Sequence, residues 1–125
     1  MTDTVKDTVL VVDDDRRWRD LLLEIIEEIA PEIKVRCEAT KEAALQAITE
    51  LGSSKLKLVV SNLRLHGSID TPGSGIEIAK AAQQAGIPAA ILTITRDEIP
   101  PIAGFAIWNK IDDSIEEGLK RALAG

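Results

Sequence analysis

The sequence predicts an α/β domain, a doubly wound five-stranded parallel sheet with helices on both faces, and three observations predict it. Apolar, β-branched runs recur along the chain. Segments of helical periodicity separate them. No internal repeat or low-complexity linker breaks the alternation. The first run, Val9-Leu10-Val11-Val12, contains no polar residue, as a strand buried on both faces requires.

The elements follow in order. After the first strand, Trp18, Leu21, Leu22, Ile25, Ile26 and Ile29 recur at helical spacing, with Glu24, Glu27 and Glu28 on the other face and Pro31 as the stop. Ile33 to Cys37 alternates as a second strand. Lys41 to Leu51 is a second helix, with Thr40 as N-cap and Gly52 just past its end. Leu56 to Ser61 is the third strand. A loop rich in Gly and Pro runs from His66 to Ser74, and the pair Ser74 and Glu77 forms a capping box for a helix over Ile76 to Ala85. Gly86 ends that helix and Pro88 to Thr93 is the fourth strand. Pro100-Pro101 and Gly104 leave room for only a turn or so of a shortened fourth helix. Phe105 to Trp108 is the fifth strand. Asp112 or Asp113 caps a last helix through Leu123, with Ile115, Leu119 and Leu123 facing inward.

Bulk properties bound the function classes. A chain of 125 residues, 45% apolar, is enough for one domain spanning residues 1–125 with a proper core. A net charge of −6 argues against nucleic acid or an anionic membrane as the main partner. No run reaches the length of a membrane span, and the first residues do not read as a signal peptide, so the expected location is the cytoplasm. Lone Cys37 is expected to be a buried, inert thiol. Three aromatic residues, Trp18, Trp108 and Phe105, supply few stacking platforms for a flavin or nucleotide.

Right-handed crossovers and the order 2-1-3-4-5 place the ends of strands one and three together at the switch point, where open α/β sheets bind ligands. Three carboxylates, Asp13, Asp14 and Asp15, stand there. Such a cluster repels itself unless a divalent cation or a lysine compensates it. The alternative, strongest for Asp15, is a helix N-terminus, whose dipole favours acids. Asn62 follows the third strand, Thr93 lies on the fourth and Lys110 follows the fifth.

Four stretches, in this order, resemble the receiver domain of two-component response regulators: Val9 to Asp15, Leu58 to Leu65, Ile87 to Thr93, and Trp108-Asn109-Lys110. The resemblance spans nearly the whole chain and implies a flavodoxin-like, CheY-like fold. It also implies a Mg²⁺ site made by Asp14 directly, by Asp13 partly through water, and by the backbone carbonyl of Arg64. Thr93 and Lys110 would contact a phosphoryl group. The expected partners are proteins, a sensor histidine kinase or a downstream signalling protein, and the oligomeric state is left open.

One departure governs the expected function. Asn62 stands where the resemblance places the phosphoryl-accepting aspartate. An amide is neutral and a poor nucleophile, so acyl-phosphate formation fails, and one fewer charged oxygen weakens Mg²⁺. Lys110 is then available to pair with Asp13 or Asp14. The expectation is a receiver-like module in phosphorelay signalling that works by protein–protein contact, without phosphorylation and without enzyme activity. The alternative is a conventional Mg²⁺-dependent, phospho-accepting regulator carrying an Asp-to-Asn substitution of its acceptor. A flavodoxin-like binder of flavin or nucleotide is the third reading.

Smaller departures accompany it. Ile94 stands where the family has a small residue, Ile107 where it has its switch aromatic, and Ile111 where a proline usually follows the lysine. Trp108 should point to the opposite strand face from Ile107. With little fourth helix, output is expected through the first helix around Arg16, Arg17 and Arg19, or through the long loop after Asn62. As an anion site that arginine cluster reads less well than as a solvated helix face. His66 has no neighbour to make a metal site, and the Gly67 to Gly75 stretch lacks the phosphate-loop pattern.

Overall fold

A computed structural model describes residues 6–62, 74–93, 106–109 and 114–124. Within them lie five strands, β1 (Thr8–Val12), β2 (Lys34–Glu38), β3 (Leu56–Asn62), β4 (Ala89–Thr93) and β5 (Ala106–Asn109). Four helices accompany them: α1 (Arg16–Ile29), α2 (Lys41–Lys55), α3 (Ser74–Gln84) and α4 (Ile115–Ala124). The strands form one sheet in the order β2-β1-β3-β4-β5, every neighbouring pair parallel, as the alternation predicts. The shortened helix expected between the fourth and fifth strands lies outside the described residues, as do His66 and most of the long loop.

Period-two alternation divides the core. Leu10, Val12, Val59 and Ile91 face α2 and α3, meeting Ala44, Ala47, Ile48, Ile78, Ala79 and Ala82. Val9, Val11, Leu58, Val60 and Leu92 face the other way, onto Leu22 and Ile26 of α1 and Ile115 and Leu119 of α4. All five residues of β1 and all five of β4 are buried, which explains their unbroken apolar runs. The edge strand β2 is covered on less of its surface and keeps alternating polar residues. Of the apolar positions expected to line α1, Leu21 is the one left exposed, at 41%.

Boundary differences have local causes. Ile33 is outside β2 because its amide donates to Ala30 in the turn after α1, at 2.9 Å, and the ladder begins at Lys34. Pro88 precedes β4 because it has no N–H to donate, yet its carbonyl already accepts from Val59 at 3.0 Å. Regular helix in α2 breaks at Gly52, whose φ of 63° is the left-handed conformation glycine adopts without strain. Glu77, expected to close a capping box with Ser74, carries its carboxylate 3.2 Å from Lys41 of α2.

The last helix departs further. Ser114 begins it, its hydroxyl accepting from the Glu117 amide at 3.2 Å. Asp112 and Asp113, expected as caps, lie outside the described residues. Among the described residues no helix is long and apolar enough to cross a membrane.

Trp108 lies level with Leu92 and joins the α1/α4 core, on the face opposite Ile107, as strand alternation predicts. Its indole lies over Gly118: a Cβ there would sit 2.7 Å from Trp108 Cε2. Glycine inside a helix costs about 1 kcal/mol relative to alanine, so the close ring contact is the reason for it. Gly118→Ala is expected to destabilise the fold, because overpacking costs about 1–3 kcal/mol and exceeds the propensity gain. Thermal denaturation checks this. The same substitution should cost less in a Trp108→Leu background, where the clash is gone.

Candidate functional site

The carboxyl edge of the sheet begins with a turn built from three acids. The Asp13 amide donates to the Glu38 carbonyl at 3.1 Å, carrying the β1–β2 ladder one residue past β1. Its side chain has no solvent exposure, and Oδ1 accepts from the Asp15 amide at 2.9 Å. Its carbonyl accepts from Arg19 Nη1 at 2.7 Å. Asp14, next in line, is half-buried.

Asp15 has a different job. With φ −94° and ψ 114° it is the N-cap of α1, and its carboxylate accepts from the Arg17 amide at 2.8 Å. The Arg17 guanidinium closes on the same carboxylate at 3.1 Å. The helix-start reading therefore holds for Asp15, leaving Asp13 and Asp14 as the acids free of capping duty.

Strand register sets the other positions. Val12 is level with Ser61, so the next residues, Asp13 and Asn62, stand side by side at the β1/β3 switch point. Asn62 is in turn level with Leu92, and Thr93 extends one residue further, level with Asn109. Asn62 is half-buried and Thr93 is 4% exposed. Four of the residues singled out from the sequence thus share the carboxyl edge of three adjacent strands: Asp13, Asp14, Asn62 and Thr93. Arg64 and Lys110 lie outside the described residues. Ser61, which no motif in the sequence marks, is fully buried, and its hydroxyl donates to the Asn62 carbonyl at 3.0 Å.

Two expectations are corrected. Cys37 is exposed, not buried, because β2 is the sheet edge. Partial desolvation still pushes its thiol above the ordinary value, opposed by the nearby Arg19 charge. Within the arginine cluster, Arg16 and Arg17 do lie on a solvated face, their side chains 83% and 91% exposed beside Asp20 and Asp15. Arg19 does not. It turns back to the strand end and holds the Asp13 carbonyl.

Among the described residues the edge offers a cation oxygen donors: the Asp13 and Asp14 carboxylates, the Asn62 amide oxygen and the Thr93 hydroxyl. Such a set suits a hard divalent cation, which accepts one or two carboxylates and completes its shell with water. Among the described residues no three of His, Cys, Asp and Glu gather as a ready-made metal cluster. With an amide at position 62, the third charge that would make one is missing. No fully buried side-chain nitrogen or oxygen among the described residues lacks a hydrogen-bond partner, so the turn is satisfied by protein groups.

By sequence, the chain matches no protein-family model and no curated protein. By structure it is similar to a response regulator receiver domain protein from Clostridium thermocellum, with a TM-score of 0.72 and 19% identity over 94% of this chain and 90% of that one. Vibrio cholerae chemotaxis protein CheY4 is similar with a TM-score of 0.68 and 17% identity, over 96% and 98% of the two chains. RcsB from Salmonella enterica serovar Typhimurium, in a structure bound to promoter rprA in the presence of the phosphomimetic BeF3−, gives 0.67 and 19%, covering 97% of this chain and 68% of its own. The five parallel strands in the order β2-β1-β3-β4-β5, with helices on both faces, are the CheY-like, flavodoxin-type fold of response regulator receiver domains.

Proposed function

We propose that this chain is a receiver-like module of two-component, phosphorelay signalling that acts through protein–protein contact and takes no phosphoryl group at residue 62. The observation that carries the reading is Asn62 at the end of β3, beside Asp13 at the switch point. A nucleophile there would need a free carboxylate lone pair. The amide's electrons are delocalised and it carries no charge. The module is not an enzyme on this reading, since the self-catalysed steps of a receiver begin with that attack.

Asp13 and Asp14, with the Arg64 carbonyl, are the groups that would hold Mg²⁺. Bound there, the ion would neutralise charge on an incoming phosphoryl oxygen. With two anionic ligands in place of three, binding is weak. Thr93 and Lys110 would complete the pocket of the resemblance, and with no phosphoryl group to meet, Lys110 would be available to offset the acids. The partners are a sensor histidine kinase or a downstream signalling protein, in the cytoplasm. Nucleic acid is not among them, because a net charge of −6 opposes a phosphate backbone. Promoter binding belongs to RcsB, about a third of whose chain lies outside the match.

A second reading has its own observation. The acidic pair is intact, as in a conventional receiver whose acceptor aspartate alone has been exchanged. Incubation with Mg²⁺ and a small phosphodonor, followed by intact mass, tests both. The chain is expected to gain no phosphoryl group, and a gain by the unsubstituted chain that Asn62→Ala abolishes would contradict the proposal. Uptake by Asn62→Asp alone favours the exchanged-acceptor reading. No uptake by either form favours a dedicated binding module.

The division of labour among the three acids gives a separate expectation. Asp14→Asn should abolish any rise in melting temperature that Mg²⁺ produces. Asp15→Ala should lower stability by about 1 kcal/mol through loss of the cap, yet leave the Mg²⁺ response intact. Thermal denaturation with and without MgCl₂ reads both.

A further inference from the structure

We propose that Arg19 is a fixed counter-ion of the acidic turn, a positioning residue that stands in for part of a divalent cation's charge and so keeps the Mg²⁺ affinity of the site low. The inference rests on reading the strand ends as a divalent-cation site, and it concerns a residue outside that site's ligand set.

Three observations carry it. Arg19 leaves the solvated face that Arg16 and Arg17 occupy and is half-buried against the end of β1. Its Nη1 donates at 2.7 Å to the carbonyl of Asp13, within the peptide group that joins Asp13 to Asp14. That bond fixes the plane of the peptide linking the two acids, and with it the directions in which their side chains leave the backbone. Lastly, among the described residues Arg19 forms no ion pair, whereas Arg16 and Arg17 each face a carboxylate. Its charge is therefore spent on a neutral carbonyl beside two acids, where it lowers their mutual repulsion without occupying a ligand position. Asp13 is wholly buried there, with the Asp15 amide on its Oδ1.

A fixed cation that steadies the turn must also repel an incoming one. Magnesium chloride titrated into the full chain at constant ionic strength, followed by tryptophan fluorescence and by thermal shift, tests this. Arg19→Gln and Arg19→Met, which remove the charge, should lower the melting temperature without Mg²⁺ and bind Mg²⁺ roughly three- to tenfold more tightly. Arg19→Lys, which keeps the charge, should bind within about twofold of the unsubstituted chain. A merely structural arginine predicts the opposite sign, because loosening the turn weakens the site. Equal or weaker binding by both uncharged variants, with the unsubstituted chain still binding, would overturn the role of Arg19 alone. No Mg²⁺ binding by any form would overturn this inference together with the cation-site reading beneath it.

Discussion

Burying one carboxylate at the end of a fully apolar strand is the constraint from which the organisation of this edge follows. Asp13 has no exposure and follows five buried residues, so each of its polar atoms needs a protein partner. The Glu38 carbonyl takes its amide, the Asp15 amide meets its side chain, and Arg19 meets its carbonyl. Those bonds tie β1, β2 and the first turn of α1 into one unit. They place Asp14 at the lip of the sheet, where register has already brought Asn62 and Thr93.

The same constraint explains why an amide at position 62 is compatible with the rest of the edge. A third carboxylate would raise the charge density around an acid that is already out of water, and would call for a cation to offset it. Asn62 keeps the shape and removes the charge. Its carbonyl receives the Ser61 hydroxyl, and its strand pairs through to Leu92, so the backbone geometry of β3 does not depend on the side chain being acidic. Position 62 thus keeps its place in the sheet while lacking the carboxylate on which acyl-phosphate chemistry would begin.

Much of this was legible in the residues. Strand order and faces could be read because Val9 to Val12 and Leu58 to Val60 are too apolar to belong anywhere but the middle of a parallel sheet, and because helical periodicity alternates with them. The positions of Asp13, Asp14, Asn62 and Thr93 followed from where those runs stop. What escaped depended on neighbours that sequence does not show. Cys37 reads as buried from its place in the alternating segment Ile33 to Cys37, but β2 is the edge strand and its cover runs out there. Arg19 looks like its neighbours Arg16 and Arg17, and only its place on α1 relative to the end of β1 turns it inward. Ser114-Ile115-Glu116-Glu117 is a capping sequence in its own right, obscured by the two aspartates before it.

Two-dimensional amide NMR of the full chain, titrated first with Mg²⁺ and then with beryllofluoride, asks whether the carboxyl edge takes a cation while offering no phosphoryl acceptor, as proposed. Mg²⁺-dependent shifts centred on Asp13, Asp14 and Asn62 are expected, with no further change when beryllofluoride is added. Shifts that appear only with beryllofluoride and spread from β3 to Thr93 would contradict the proposal.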